Sequence, residues 1–175
     1  MKILKKLLPN VFLFKNQYSF DLRGKFLKIK TLNNFKSNQL CFSFNKLKGT
    51  IRGLHYQKKP FGETKIITCI SGSVYEVIVN CNKKSKDYLK HKTIILNSHK
   101  NNSLYIDKDY AHGFQTLENN TILMYNINSK YKKTLQSGFL FNDPCLNIKW
   151  PLPITKMSVR DKKFKLLKEN QTDKQ

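Results

Sequence analysis

The stretch Lys65-Ile-Ile-Thr-Cys-Ile-Ser-Gly-Ser-Val-Tyr-Glu-Val-Ile-Val79 decides the fold class. It holds two short runs rich in β-branched residues, 65–70 and 74–79, on either side of Ser71-Gly72-Ser73. Runs of this length and composition predict strands, and the small polar residues between them predict a hairpin turn. Working outward, further short strands are predicted at 92–96, 103–106, 113–117 and 122–127. They are separated by turn-forming Asn101-Asn102, Asp107-Lys-Asp109 and Glu118-Asn-Asn120. Short strands at this spacing predict an all-β, antiparallel sandwich or barrel. One late segment, 160–169, reads as helical, with Phe164, Leu166 and Leu167 facing inward. No repeat or low-complexity linker divides the chain, so residues 1–175 are expected to form a single domain.

Composition narrows the choices. At 175 residues, 39% hydrophobic and 12% aromatic, the chain is large and apolar enough for a real core, and disorder is excluded. No apolar run reaches the ~18 residues that a membrane helix needs. The opening segment, Met1 to Pro9, is interrupted by Lys5 and Lys6 and is not read as a secretory signal. The net charge of +22, from 33 Lys and Arg against 11 Asp and Glu, would attract a polyanion. A basic nucleic-acid-binding module therefore stands as an alternative. The lysines are spread along the chain, however, as composition bias in a Lys- and Asn-rich protein would also produce. The four cysteines form no CxxC pair, which argues against structural zinc and for reduced thiols in a cytoplasmic protein.

Two segments carry chemistry: Gly49-Thr-Ile-Arg-Gly-Leu-His-Tyr-Gln57 and Tyr110-Ala-His-Gly-Phe-Gln115. Each sets a histidine beside a glycine in a strand context. Arg52, His55 and Gln57 are read as alternating onto one face, which would make an anion-binding, proton-transferring surface and a poor apolar core. His91 and His99 lie in polar stretches and read as solvated.

In order along the chain come Asp21-Leu-Arg-Gly-Lys-Phe26, Arg52-Gly-Leu-His-Tyr-Gln57, Thr64 to Val79 and Ala111-His-Gly-Phe114. Leu123-Met-Tyr125, Phe141-Asn-Asp-Pro144 with Ile148-Lys-Trp-Pro151, and Ser158-Val-Arg-Asp161 follow. Together these blocks resemble the dTDP-4-dehydrorhamnose 3,5-epimerases, the RmlC-type sugar-nucleotide epimerases, over about residues 21–161. The resemblance implies a cupin-like β-jelly-roll barrel with minor helices, a homodimer and a cytoplasmic enzyme of dTDP-rhamnose biosynthesis, serving glycans such as lipopolysaccharide O-antigen. The implied substrate is dTDP-4-dehydro-6-deoxy-D-glucose, epimerised at C3 and C5 through an enolate to dTDP-4-dehydro-L-rhamnose. No cofactor is implied. Metal-binding cupins present an H-x-H pair; here Gln57 stands two residues after His55, so a metal-free site is expected, with a metal-dependent cupin as a further option.

The resemblance also assigns roles. His55 is the base, since an ordinary imidazole titrates at ~6.5 and can take a proton near neutrality. Asp161 is its dyad partner, fixing tautomer and orientation; the residue also reads as an acid at a helix N-terminus. Lys65 faces the developing O4 anion. Tyr125 is the acid on the opposite face of the sugar. Arg23 and Arg52 are expected to clamp the diphosphate. Phe26, Gln57, His112, Tyr131 and Glu76 complete the substrate-binding set, although the family usually carries Asp where Glu76 stands. Other departures are Lys28 for a Glu, Asp107 and Asp109 where Pro and Gly are usual, Val79-Asn-Cys-Asn82 for V-D-x-R, and Gln39-Leu-Cys-Phe-Ser43 for Q-x-N-x-S. They leave the base, its partner, the lysine and the tyrosine in place. They also leave open an epimerase that inverts C3 or C5 alone, or one that uses another nucleotide.

Overall fold

A computed structural model describes residues 2–29, 32 and 35–167. Thirteen strands, one α-helical turn and two 3-10 turns (Ser98–Lys100 and Lys133–Leu135) are assigned among them. The N-terminal strands are β1 (Lys2–Leu8), β2 (Val11–Lys15), β3 (Gln17–Asp21), β4 (Gly24–Lys28) and β5 (Gln39–Asn45). The central ones are β6 (Ile51–Gln57), β7 (Lys65–Ser71), β8 (Ser73–Asn80), β9 (His91–Asn97) and β10 (Asn102–Ile106). Then follow β11 (Tyr110–Thr116), β12 (Thr121–Ile127), β13 (Gln136–Gly138) and α1 (Val159–Lys162).

Two antiparallel sheets face each other, ordered β1-β2-β10-β7-β12-β5 and β13-β6-β11-β8-β9, while β3 and β4 form a separate hairpin. The expected all-β, cupin-like β-roll is thus the observed architecture. Between the sheets lies a core that includes Val11, Ile67, Val74, Ile78, Leu96, Leu104, Phe114 and Leu123. Several of these are fully buried, and each such side chain contributes about 1.5–3 kcal/mol of apolar transfer free energy. A second cluster, including Leu54, Val77, Val79, Ala111, Phe139, Leu146 and Ile148, fills the other face of the five-stranded sheet. The chain after β13 covers that face, so alternate residues of β8 are buried on both sides: Val74 and Ile78 inward, Val77 and Val79 outward. This accounts for the continuous apolar reading of 74–79.

The predicted hairpin at Ser71-Gly72-Ser73 does not form. β7 and β8 belong to different sheets: β7 pairs with β10 and β12, and β8 pairs with β9 and β11. The chain crosses between the sheets at Gly72, whose φ of +74° suits glycine and whose absent Cβ would lie 2.5 Å from Thr121 Oγ1. A two-sheet sandwich buries both apolar runs more fully than a two-stranded ribbon could, and that preference overrides the local turn signal.

The predicted helix 160–169 is also shorter than expected. Helical structure ends at Lys162, and positions 168 and 169 lie outside the described residues. After one turn the chain must straighten to seat two apolar side chains. Phe164 packs edge-on against His55, with ring centroids 6.0 Å apart, and Leu167 enters the outer cluster. The Leu167 amide then donates to Asp143 Oδ2 at 2.7 Å. Tertiary burial thus outweighs the weak helical periodicity.

Candidate active site

Strands of both sheets line a cavity of about 680 Å³, within the range usual for a small-ligand site. It brings together His55, Asp161, Lys65, Tyr125, Arg52, His112 and Tyr131 from separate parts of the chain.

His55 and His112 face each other across the β6–β11 ladder, where the register slips between His112 and Phe114. Gly53 and Gly113 explain the slip. A Cβ on Gly53 would lie 2.5 Å from Gly113 Cα, and one on Gly113 would lie 2.7 Å from the Arg52 carbonyl oxygen. Only backbones without side chains can approach this closely, and the resulting bulge redirects the residues beside it. Arg52 and His55 are three apart and would oppose each other on a regular strand; the bulge lets both face the cavity. Alternation therefore reached the right result for these two residues by the wrong geometry.

His55 Nε2 lies 2.8 Å from Asp161 Oδ1, with the carboxylate almost fully buried. Ser158 makes this possible. It caps α1, accepting from the Asp161 amide at 3.1 Å, and so presents Asp161 from the first turn of the helix. Asp161 Oδ2 accepts the Gly53 amide at 3.1 Å, which ties the carboxylate to the bulge. The S-x-x-D spacing is thus a capping geometry that aims a carboxylate. Burial pushes the Asp161 pKa up, but the bond and charge of His55, with Gly53 and Ser158, outweigh it and hold the group at about 2. An ionised Asp161 accepts Nε2–H and leaves Nδ1 as the nitrogen that can take a proton.

Burial raises Tyr125 well above the usual phenol range, and the nearby Glu76 adds to the rise. Its hydroxyl keeps its proton at physiological pH. His112 stands beside it, with ring centroids 6.1 Å apart. His112 Nδ1 lies 2.6 Å from Glu76 Oε1. Burial raises Glu76 against the pull of Lys65, and burial, with Lys65 and His55, lowers His112. Burial thus favours the neutral form of each partner in this hydrogen-bonded pair. Glu76, expected in the substrate-binding set, is wholly buried behind His112 and is not among the residues that line the cavity.

Three further expected residues lie elsewhere. Gln57 is buried but turned out of the cavity: its amide donates to Phe61 O at 2.5 Å and Lys130 O at 3.0 Å, and it accepts from Lys132 N at 2.7 Å. Arg23 is solvent-exposed on the β3–β4 hairpin, paired with Asp21 at 2.5 Å. Phe26 sits on the same hairpin, bounding a separate cleft with Lys2, Lys15 and Tyr18. Neither reaches the cavity of its own chain, because the hairpin is not joined to either large sheet.

Other cavity residues went unremarked in the sequence. Glu63 pairs with Lys65 at 3.0 Å, and Arg160 Nη2 lies 3.1 Å from His55 Nε2, with Nη1 on Gln136 Oε1. Arg160 stands inside the Ser158–Asp161 block, so its adjacency to Asp161 was the available signal. Glu63 gave none beyond lying two residues before Lys65. Among the described residues, no group of three or more His, Cys, Asp or Glu converges as a metal-binding set.

A cupin-like β-roll whose interior holds a buried carboxylate–imidazole dyad, a protonated phenol and a lysine is a site for moving protons on carbon. Comparison with known proteins carries this class to a family. The family model for dTDP-4-dehydrorhamnose 3,5-epimerase matches residues 5–169. A dTDP-4-dehydrorhamnose 3,5-epimerase of Shigella flexneri is 30% identical over 168 residues, covering 92% of this chain and 93% of its own. A crystal structure of the Bacillus anthracis enzyme with TDP and pyrophosphate bound aligns with a TM-score of 0.90 at 32% identity, covering 95% of this chain and 99% of that one. The Legionella pneumophila enzyme in complex with dTDP-4-keto-L-rhamnose aligns at 0.88 with 26% identity, over 95% and 93% of the two chains. The chain belongs to the dTDP-4-dehydrorhamnose 3,5-epimerase family.

Proposed function

We propose that the protein converts dTDP-4-dehydro-6-deoxy-D-glucose to dTDP-4-dehydro-L-rhamnose by inverting C3 and C5. The observation that carries the reading is the meeting of the His55–Asp161 dyad with Lys65 and Tyr125 in one cavity. The C4 ketone makes the hydrogens on its two neighbouring carbons acidic. His55 Nδ1 removes one as a proton. The C–H electron pair becomes the enolate C=C bond, and the carbonyl π pair moves to O4. Asp161 stabilises the imidazolium formed, and the Lys65 ammonium meets the charge on O4. Tyr125 O–H then gives its proton to the opposite face of the carbon. An enolate carbon is a stronger base than a phenolate, so even a phenol of raised pKa can donate to it. Solvent reprotonates Tyr125 and deprotonates His55, and the cycle repeats at the second carbon. His112 and Tyr131 form walls, and Arg52 attracts the diphosphate, held by its Nε bond to Asn45 Oδ1 at 2.8 Å.

A homodimer belongs to this reading. Phe20, Leu22 and Phe26 on the β3–β4 hairpin, and Leu40, Phe42 and Phe44 on β5, are all exposed in the single chain. Apolar side chains so grouped mark a contact surface. In the dimer Arg23 and Phe26 would serve the substrate in the second copy's cavity. The four cysteines are unpaired, and no described helix is long and apolar enough to cross a membrane. A cytoplasmic location, with the product passed on to rhamnose-containing surface glycans such as O-antigen, agrees with the reduced thiols.

Incubation with the substrate in D₂O, followed by NMR, tests the proposal. Deuterium at both C3 and C5 supports it. Label at one carbon alone assigns a mono-epimerase, and none at either refutes the reading. Size-exclusion with light scattering tests the dimer, and a monomer at micromolar concentration would overturn that part.

A further inference from the structure

Lys65 is 7% exposed, and an ammonium in so enclosed a place needs a compensating charge. Glu63 supplies it: Oε2 lies 3.0 Å from Lys65 Nζ, with both side chains at the cavity wall and about equally enclosed. The backbone that carries Glu63 is held from several sides. Asn128 Oδ1 accepts the Thr64 amide at 2.8 Å, and Thr64 Oγ1 bonds to Asp107 Oδ1 at 3.0 Å. Gln57 Nε2 and Ser129 Oγ both donate to the Phe61 carbonyl. These bonds anchor the backbone on both sides of Glu63 without calling on Lys65.

The other groups around Lys65 do not replace it. Glu76 on β8 is already bonded to His112 on β11, and burial favours the neutral form of both. Tyr125 on β12 keeps its proton, Arg52 on β6 is a cation, and on the same strand His55 already holds Asp161. An ammonium has three N–H donors, and committing one to a fixed carboxylate sets the direction of the other two.

We infer that Glu63 is a positioning residue of the reaction: its carboxylate fixes the Lys65 ammonium at the cavity wall and aims the remaining N–H donors at the oxygen that becomes the enolate anion. The inference rests on the epimerase reading and adds to it a residue that acts through Lys65.

Deuterium wash-in to dTDP-4-dehydro-6-deoxyglucose, with kcat and KM measured separately, tests it on the full chain and on Glu63→Gln, Glu63→Asp, Lys65→Met and the Glu63→Gln/Lys65→Met double variant. A misdirected donor to the developing oxyanion costs rate and not ground-state binding, so in Glu63→Gln kcat should fall by about 10-fold or more with KM nearly unchanged. Glu63→Asp, which keeps the carboxylate, should recover part of the loss. In the Lys65→Met background Glu63→Gln should have no further effect, since its partner is gone. A kcat equal to wild type, a loss that falls on KM alone, or an undiminished effect in the Lys65→Met background would each overturn the inference. Should Glu63→Gln fail to fold, the kcat and KM of Glu63→Asp decide in the same way. Absence of exchange in the wild-type protein would instead sink the epimerase reading itself.

Discussion

Replacing Asp161 by Asn keeps the side-chain shape and removes its charge. The amide oxygen can still accept the Gly53 N–H, and Ser158 still caps the helix, so the fold should persist. What is lost is the ionic half of the 2.8 Å contact with His55. Asp161 is held at about 2 against an ordinary 3.8, a net preference of about 2 kcal/mol for the ionised form that remains after burial has opposed it. His55, Gly53 and Ser158 together supply that preference, and water in the cavity screens it. A share of about 1–2 kcal/mol is assigned to His55. An imidazolium forming at His55 loses that support in the variant, and wash-in at C3 and C5 should slow by about 5- to 30-fold. If the Asn amide donates to Nε2 instead, Nδ1 carries the proton in the resting enzyme and the loss grows towards the ~10⁴-fold seen when a triad Asp is so replaced. Wash-in rates by NMR and a thermal melt of both proteins are the assay. Exchange within twofold of wild type with an intact melt would refute the dyad, and a collapsed melt would show the carboxylate to be chiefly structural.

Tyr125→Phe should leave wash-in measurable at the carbon attacked first while product formation falls by about 10²-fold or more, because the general acid is gone and the base remains; equal losses in both steps would count against the phenol as acid. Gly138→Ala should destabilise the fold by about 1–3 kcal/mol in chemical denaturation, because a Cβ there would lie close against the Leu54 carbonyl and the Phe164 ring; an unchanged midpoint would mean that the 138/164 contact is loose. Asp161 has a lowered folded-state pKa, so the stability it lends is fully present above pH ~4 and disappears as the pH falls towards 2. The gap in melting temperature between wild type and Asp161→Asn should close over that interval. A gap independent of pH would show that the Asp161 charge adds nothing to the fold.

Legibility differed from element to element. The strands at 65–70, 74–79, 92–96, 103–106 and 122–127 were readable because their apolar, β-branched runs are local signals, and each lies within an observed strand. Strands β1 to β5 were not predicted: β1 is Lys-rich and β3 wholly exposed, so neither carries an inward-facing pattern, whereas the apolar run of β2, buried in the core, was a local signal that went unread. His55, Asp161, Lys65 and Tyr125 were recognisable from the ordered motif blocks, and the fold does bring them into one cavity. Gln57 was misplaced because two-residue spacing says which side of a strand a residue leaves, not what its side chain then meets. Glu63 and Arg160 escaped because, in a chain with so many charges, one more carries no local signal until its neighbour in space is known.

The sequence by itself determined the β class and named the residues proposed to handle protons, since strand propensity and side-chain chemistry are properties of short segments. Which strands pair, that Gly72 crosses between sheets, that the Gly53–Gly113 approach turns Arg52 and His55 to one side, and that Glu63 meets Lys65 were decided only by the tertiary structure. These depend on burying two apolar faces at once and on closing contacts between residues far apart in the chain. No local pattern encodes free energies of that kind.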